Sequence, residues 1–183
     1  SGTLAESSLL AQWPHLHLQR VDLIPHAWAW TQACPDSYAA HVFMASLQKM
    51  VGWQARGTAP SSQTSVRQFD VMQQHFQVAL QHVHRALALS DCPATALASG
   101  IQITQAGSDD PDFDYVQRAE PVLARSPMLC GVVMWSLNPK WGGSLEQLQS
   151  FLDHALTRPN VTPGDRGQIE AHYWNERADI SLM

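Results

Sequence analysis

The sequence predicts an all-α protein of layered antiparallel helical hairpins, and three observations carry that expectation. Apolar residues recur at intervals of three and four along most segments, the spacing that builds one face of a helix. A capping side chain followed by proline opens three separate segments, an arrangement suited to the first turn of a helix. Strand signals are nearly absent, the short apolar run Gly131-Val132-Val133-Met134-Trp135 being a rare exception. The 183 residues suit a single helical domain over 1–183, long enough to bury about two-thirds of its unfolded surface. Residues 1–18 are expected to form a loosely packed N-terminal segment.

The spacing predicts its longest helix over 64–90. Phe69, Met72, Phe76, Leu80, Val83 and Leu87 fall on one stripe, while Gln74, Gln77, Gln81 and Arg85 make a solvated opposite face. Asp91-Cys92-Pro93 ends it, because proline cannot continue the ladder. A helix over 36–55 precedes it, opened by Pro35-Asp36-Ser37, closed by Gly57, and apolar at Val42, Met44, Ala45, Leu47, Met50 and Val51. The stretch from Gly57 to Gln63, rich in Ser, Thr, Ala and Pro, reads as the loop between them.

Residues 94–106 read as a helix ended by Gly107. Asp110-Pro111, Ser126-Pro127 and Thr162-Pro163 predict helices over 111–124, 127–137 and 163–178. Ser144-Leu145-Glu146-Gln147 has the form of a capping box and opens a helix over 144–157. An earlier helix covers 20–33, begun or interrupted at Pro25, and a short one precedes Pro14.

Composition narrows the function. The net charge of −5, with no run of like charges, argues against a nucleic-acid partner, which would call for a basic excess. No apolar run is long enough to span a bilayer, so no membrane role is expected. Seven tryptophans are many for this length, and such residues anchor a core or mark a contact surface. Cys34, Cys92 and Cys130 are far apart and form no C-x-x-C pair, which excludes a zinc ribbon or a thioredoxin-type motif. They read as small buried hydrophobes in a reducing compartment, and the cytoplasm is the expected location.

No catalytic constellation stands out. Of nine histidines, His75 and His82 share a helix face while His84 points elsewhere. H-E-x-x-H is absent, so these read as hydrogen-bonded histidines at a helix surface, and neither metal nor cofactor is expected. His15-Leu16-His17 is uninformative. No G-x-S-x-G occurs, and Ser144 after Gly142-Gly143 is explained as a helix cap. Asp109, Asp110, Asp112 and Asp114 lack the glycine of a calcium loop and read as a solvated cap.

Two clusters remain as candidate partner- or ligand-binding residues. Trp53-Gln54-Ala55-Arg56-Gly57 sets an arginine near a tryptophan at a helix end, where it can stack on the ring or cap carbonyls. Pro139-Lys140-Trp141-Gly142-Gly143-Ser144 sets a lysine and two glycines before a helix N-terminus, where free amides attract anions. Its spacing is not that of a P-loop, and a tight turn anchored by a tryptophan explains it without a ligand.

Taken in order, Pro35-x-Ser37-x-x-Ala40, the W-x-A-R-G element at Trp53–Gly57, Ala86-Leu87-x-Leu89 and the P-K-W-G-G-S element at Pro139–Ser144 carry a family resemblance. The chain resembles an uncharacterised bacterial family of helical, tetratricopeptide-like proteins of unknown function, over roughly residues 35 to 155. The resemblance implies a helical, repeat-like fold and a bacterial source, and it brings no activity and no catalytic residues. The stretch from Ala79 to Ser99 resembles one junction between tetratricopeptide repeats, with small alanines that let helices approach closely, so any stack is degenerate. Small helical proteins of this sort also resemble some immunity proteins that neutralise secreted bacterial toxins.

The expected function is therefore a non-enzymatic helical scaffold that binds one protein partner, as an inhibitor or immunity protein against a toxin. The rival reading is an enzyme or small-ligand binder whose pocket gathers Trp53, Arg56, Lys140 and Trp141. A third is a homo-oligomer assembled through an apolar helix face.

Overall fold

The computed structural model of the protein describes residues 21–108, 110, 111 and 113–181. The helix expected before Pro14, the His15-Leu16-His17 run, Asp109 and Asp112 lie outside the described residues. Among those residues the regular structure is all helical, and the chain forms two compact units that divide between Asp109 and Asp110.

Among its described residues the first unit holds four α-helices: α1 (Ile24–Ala33), α2 (Tyr38–Arg56), α3 (Val66–Leu89) and α4 (Ala94–Gln105). A 3-10 turn at Val21–Leu23 leads into α1, which carries Pro25 in its first turn, where a missing N–H costs nothing. Ser37 opens α2 by accepting from the amide of Ala40, and Gly57 closes it at φ 76°, a conformation that favours glycine. Ser65 opens α3 with a full reciprocal box, its hydroxyl taking the Gln68 amide while the Gln68 side chain takes the Ser65 amide. The serine cap thus sets the start of α3 at Val66, slightly later than the apolar spacing alone places it.

Cross-helix partners show that α2 and α3 are an antiparallel hairpin. His41 lies opposite His82, Gln48 opposite His75, Gly52 opposite Phe76, and Arg56 opposite Gln68. The predicted stripe faces this contact: Met72, Phe76, Leu80 and Val83 are buried, Phe69 and Leu87 half-buried, and the Gln74, Gln77, Gln81 and Arg85 face is exposed. Each fully buried side chain of this size contributes about 1.5–3 kcal/mol of apolar transfer energy. Gly52 permits the closest approach, since a Cβ there would lie 2.6 Å from the Phe76 ring. Helix α1 seats on the hairpin through Ala27, packed with Met44 and Leu47.

The second unit holds α5 (Tyr115–Ala119), α6 (Pro127–Ser136), α7 (Leu145–Leu156) and α8 (Pro163–Ser181). Ser126, Ser144 and Thr162 cap the last three as expected, each hydroxyl accepting from the amide three residues on. The helix expected over 111–124 is corrected to five residues. Asp114, not Asp110, is its cap, accepting from the Gln117 amide at 2.9 Å, and Asp110 instead accepts from the Tyr115 hydroxyl. Pro121 has no N–H to continue the ladder, so the chain turns after Ala119 and makes only a 3-10 turn at Leu123–Arg125. Leu129, Val133, Met134, Leu148, Ile169 and Tyr173 form the buried interior of this unit. Gly131 lets α6 and α8 meet, because a Cβ there would lie 2.6 Å from the His172 ring. Among the described residues, no helix is long and apolar enough to cross a membrane.

Candidate functional site

Each predicted cluster is assembled locally, Trp53 and Arg56 within the first unit and Lys140 and Trp141 within the second. Trp53 is half-buried near the end of α2, its ring edge-on to Phe76 at 5.6 Å. The Arg56 guanidinium lies 6.0 Å from the Trp53 ring centre and donates from one nitrogen to the carbonyls of Gly57 and Ala59, at 3.1 and 2.9 Å. The Gln68 side chain donates to the carbonyl of Arg56 at 3.0 Å. Arginine, tryptophan and glutamine thus fix the loop that joins α2 to α3.

Lys140 and Trp141 sit in a 3-10 turn at Pro139–Trp141, the ammonium 5.5 Å from the indole that follows it. Trp141 packs on Trp135 with ring centres 4.8 Å apart. Buried Asn138 builds the turn, its side-chain oxygen accepting from the Lys140 amide and its nitrogen donating to Glu176 at 2.9 Å. Gly142 is left-handed at φ 91°, and a Cβ on Gly143 would lie 1.9 Å from the Leu137 carbonyl oxygen. Both glycines are therefore required by the backbone itself. Beside this turn an open groove of about 700 Å³ has Val133, Leu137 and Phe151 on its apolar wall and Glu146 on its rim.

The histidines are corrected from a helix surface to a helix interface. His75 and His82, seven residues apart on α3, meet Gln48 and His41, seven apart on α2. His75 Nδ1 donates to Gln48 Oε1 at 2.7 Å, and the two Nδ1 atoms of His41 and His82 lie 2.9 Å apart. The tautomers follow from the partners. His41 Nε2 faces the carbonyl oxygen of Pro35 at 2.9 Å, which can only accept, so that nitrogen carries the hydrogen. Neutral His41 then has a bare Nδ1, and His82 donates to it. Burial first, and the charge of His41 second, hold the His82 imidazole down at about 4.

Around this pair, Arg85 donates to the same Pro35 carbonyl at 3.2 Å and forms an ion pair with Asp36. The Trp28 indole stands edge-on to His82, ring centres 6.1 Å apart at 83°. Trp28 and Trp30 are respectively 52% and 40% exposed, so α1 presents two large indoles outward while Ala27 and Thr31 anchor its inner side. His41 was not among the sequence candidates. The signal that finds it is the equal seven-residue spacing of His41–Gln48 and His75–His82 once the hairpin register is known.

Two further groupings hold the fold together. Glu120 accepts from His154 at 2.7 Å and pairs with Arg158, which also donates to the Glu120 backbone carbonyl at 2.7 Å. Burial works to raise the Glu120 carboxyl, but the His154 bond and the Arg158 charge together hold it below the usual range. Lys49 is buried on α2, donates to Gln102 on α4, and is pushed down by burial to about 8. The cysteines are corrected in one case. Cys92 and Cys130 are buried, but Cys34, at the end of α1 where the chain turns into α2, is exposed. Among the described residues, no three His, Cys, Asp or Glu side chains gather as a metal site.

Residues 16–113 match the model of a family described as a domain of unknown function, DUF4034. The matched span includes the Trp53–Gly57 element and stops before the Pro139–Ser144 element. No curated protein and no solved structure matches the chain.

Proposed function

Since the chain belongs to that family of unknown function, whose description assigns it no activity, we propose that it is a non-enzymatic helical scaffold that binds one protein partner, as an inhibitor or immunity protein that blocks a toxin. The observation that carries this reading is the pair of outward indoles on α1. Trp28 and Trp30 expose about half and two-fifths of their surface on a helix whose inner side is firmly seated. Large exposed aromatics are the residue type that most often anchors a protein interface. The net charge of −5 suits a basic partner.

The rival ligand pocket draws less support, because the Arg56 guanidinium is taken up by the carbonyls of its own loop. The packing of α3 against α4, with Ala79, Ala86, Ala94 and Ala98 all buried, supports reading this part as a degenerate tetratricopeptide-like repeat. Two buried thiols outside any disulfide support a cytoplasmic location. The experiment is affinity capture from a lysate of the source organism, with the protein and a Trp28→Ala/Trp30→Ala variant as paired baits. A saturable protein retained by the first bait and lost by a variant that melts normally supports the reading. Equal retention by both baits, or a strict background result, overturns it.

A further inference from the structure

We propose that His41 and His82 form a proton-operated latch that sets how α1 presents Trp28, a regulation that rests on reading the α1 indoles as the partner surface. The geometry of the pair decides what each added proton can do. The neutral pair holds one hydrogen in the 2.9 Å gap between the Nδ1 atoms, while Pro35 holds the other side of His41. A first proton can be accepted with the bridge intact, since one ring can donate from Nδ1 while the other accepts. A second proton has no such place. It sets N–H against N–H across the gap and puts two like charges on rings whose centres are 5.2 Å apart.

The groups facing the pair leave that second charge uncompensated or transmit its effect. From α2 comes His41 itself, and from the turn before it the Pro35 carbonyl and Asp36, whose carboxylate is already paired with Arg85 on α3. From α1 comes the Trp28 ring, in edge contact with His82. Relief of the N–H to N–H clash therefore swings His82 against Trp28, whose ring is half in solvent and has room to move. The α1 backbone stays seated, because Ala27 is held by Met44 and Leu47 on the other side. Burial first, and His41 second, push His82 down to about 4 from an ordinary 6.5, the same direction that this crowding works in.

The test uses the free protein, so it is independent of any partner. Tryptophan emission is recorded from pH 7 to pH 4 for the protein and for Trp28→Phe, and their difference isolates Trp28. The expected result is a red shift with its midpoint between pH 4 and 6.5 while far-ultraviolet circular dichroism holds constant. The shift is expected to vanish in His82→Asn, which offers an amide donor to His41 but cannot titrate. A shift of unchanged midpoint in His82→Asn, or one that coincides with loss of helix, overturns the latch. If that variant does not fold, ring-nitrogen NMR of the unaltered protein decides. Two well-separated titrations for the pair support the latch, and two coincident, independent ones sink it. A working latch with unimpaired capture by the Trp28→Ala/Trp30→Ala bait would remove the partner surface and leave the latch standing.

Discussion

Gly52 on α2 and Phe76 on α3 are in such close contact that one added methyl on the glycine would lie 2.6 Å from the ring and 3.1 Å from the Met72 carbonyl oxygen. Phe76 is fully buried, so its ring has nowhere to go. Gly52→Ala is therefore expected to destabilise the protein by about 1–3 kcal/mol, despite the better helix propensity of alanine. Urea unfolding measures this, and a midpoint equal to that of the parent would show that the hairpin yields.

Arg56 separates a structural role from a binding one. Its two bonds to loop carbonyls predict that Arg56→Ala loses about 1–2 kcal/mol of stability, since charge-assisted bonds at a half-buried site are removed. A thermal melt is the check. Loss of partner capture by a variant that melts like the parent would move Arg56 into the binding surface.

The Gly142-Gly143 turn gives the sharpest steric test. In Gly143→Ala the new Cβ would meet backbone rather than a movable side chain, so the turn must rearrange. A loss of about 2 kcal/mol or more is expected, with Trp135–Trp141 packing disturbed. Gly142→Ala is expected to cost about 1 kcal/mol, the usual charge for a left-handed non-glycine residue. Near-ultraviolet circular dichroism of the paired indoles and chemical unfolding together read both effects.

Lys49 predicts an alkaline stability gain. Its folded value is about 8 against 10.5 for an exposed lysine, so between those limits the unfolded chain binds the extra proton and the folded one does not. Stability then rises with pH across that window, by about 3 kcal/mol at about 1.4 kcal/mol per pH unit. Lys49→Met should flatten the rise. An unaltered slope in that variant would assign the effect to another group.

The helices were legible where a single physical rule governs them. The stripe from Phe69 to Leu87 and the serine caps at positions 37, 126 and 144 are local signals, and the chain obeys them. Asp110-Pro111 looked like the same signal. There Pro121, close downstream, left no length for a helix, and Tyr115 drew the Asp110 carboxylate away. His82 was visible on its helix, but its partner was not, because pairing across a hairpin depends on loop length and register. Arg56 lies beside Trp53 and Lys140 beside Trp141. What sequence could not supply was the direction of their remaining donors, which for Arg56 is back into its own chain.

The exposure of Cys34 has a practical consequence. Its thiol is reachable while those of Cys92 and Cys130 are enclosed, and burial pushes the Cys130 thiol up to about 11, further from its reactive form. A maleimide dye should therefore attach selectively at the end of α1, next to the residue whose carbonyl His41 and Arg85 share. The native chain thus offers its own labelling position for following α1 in solution, with no cysteine to introduce and none to remove.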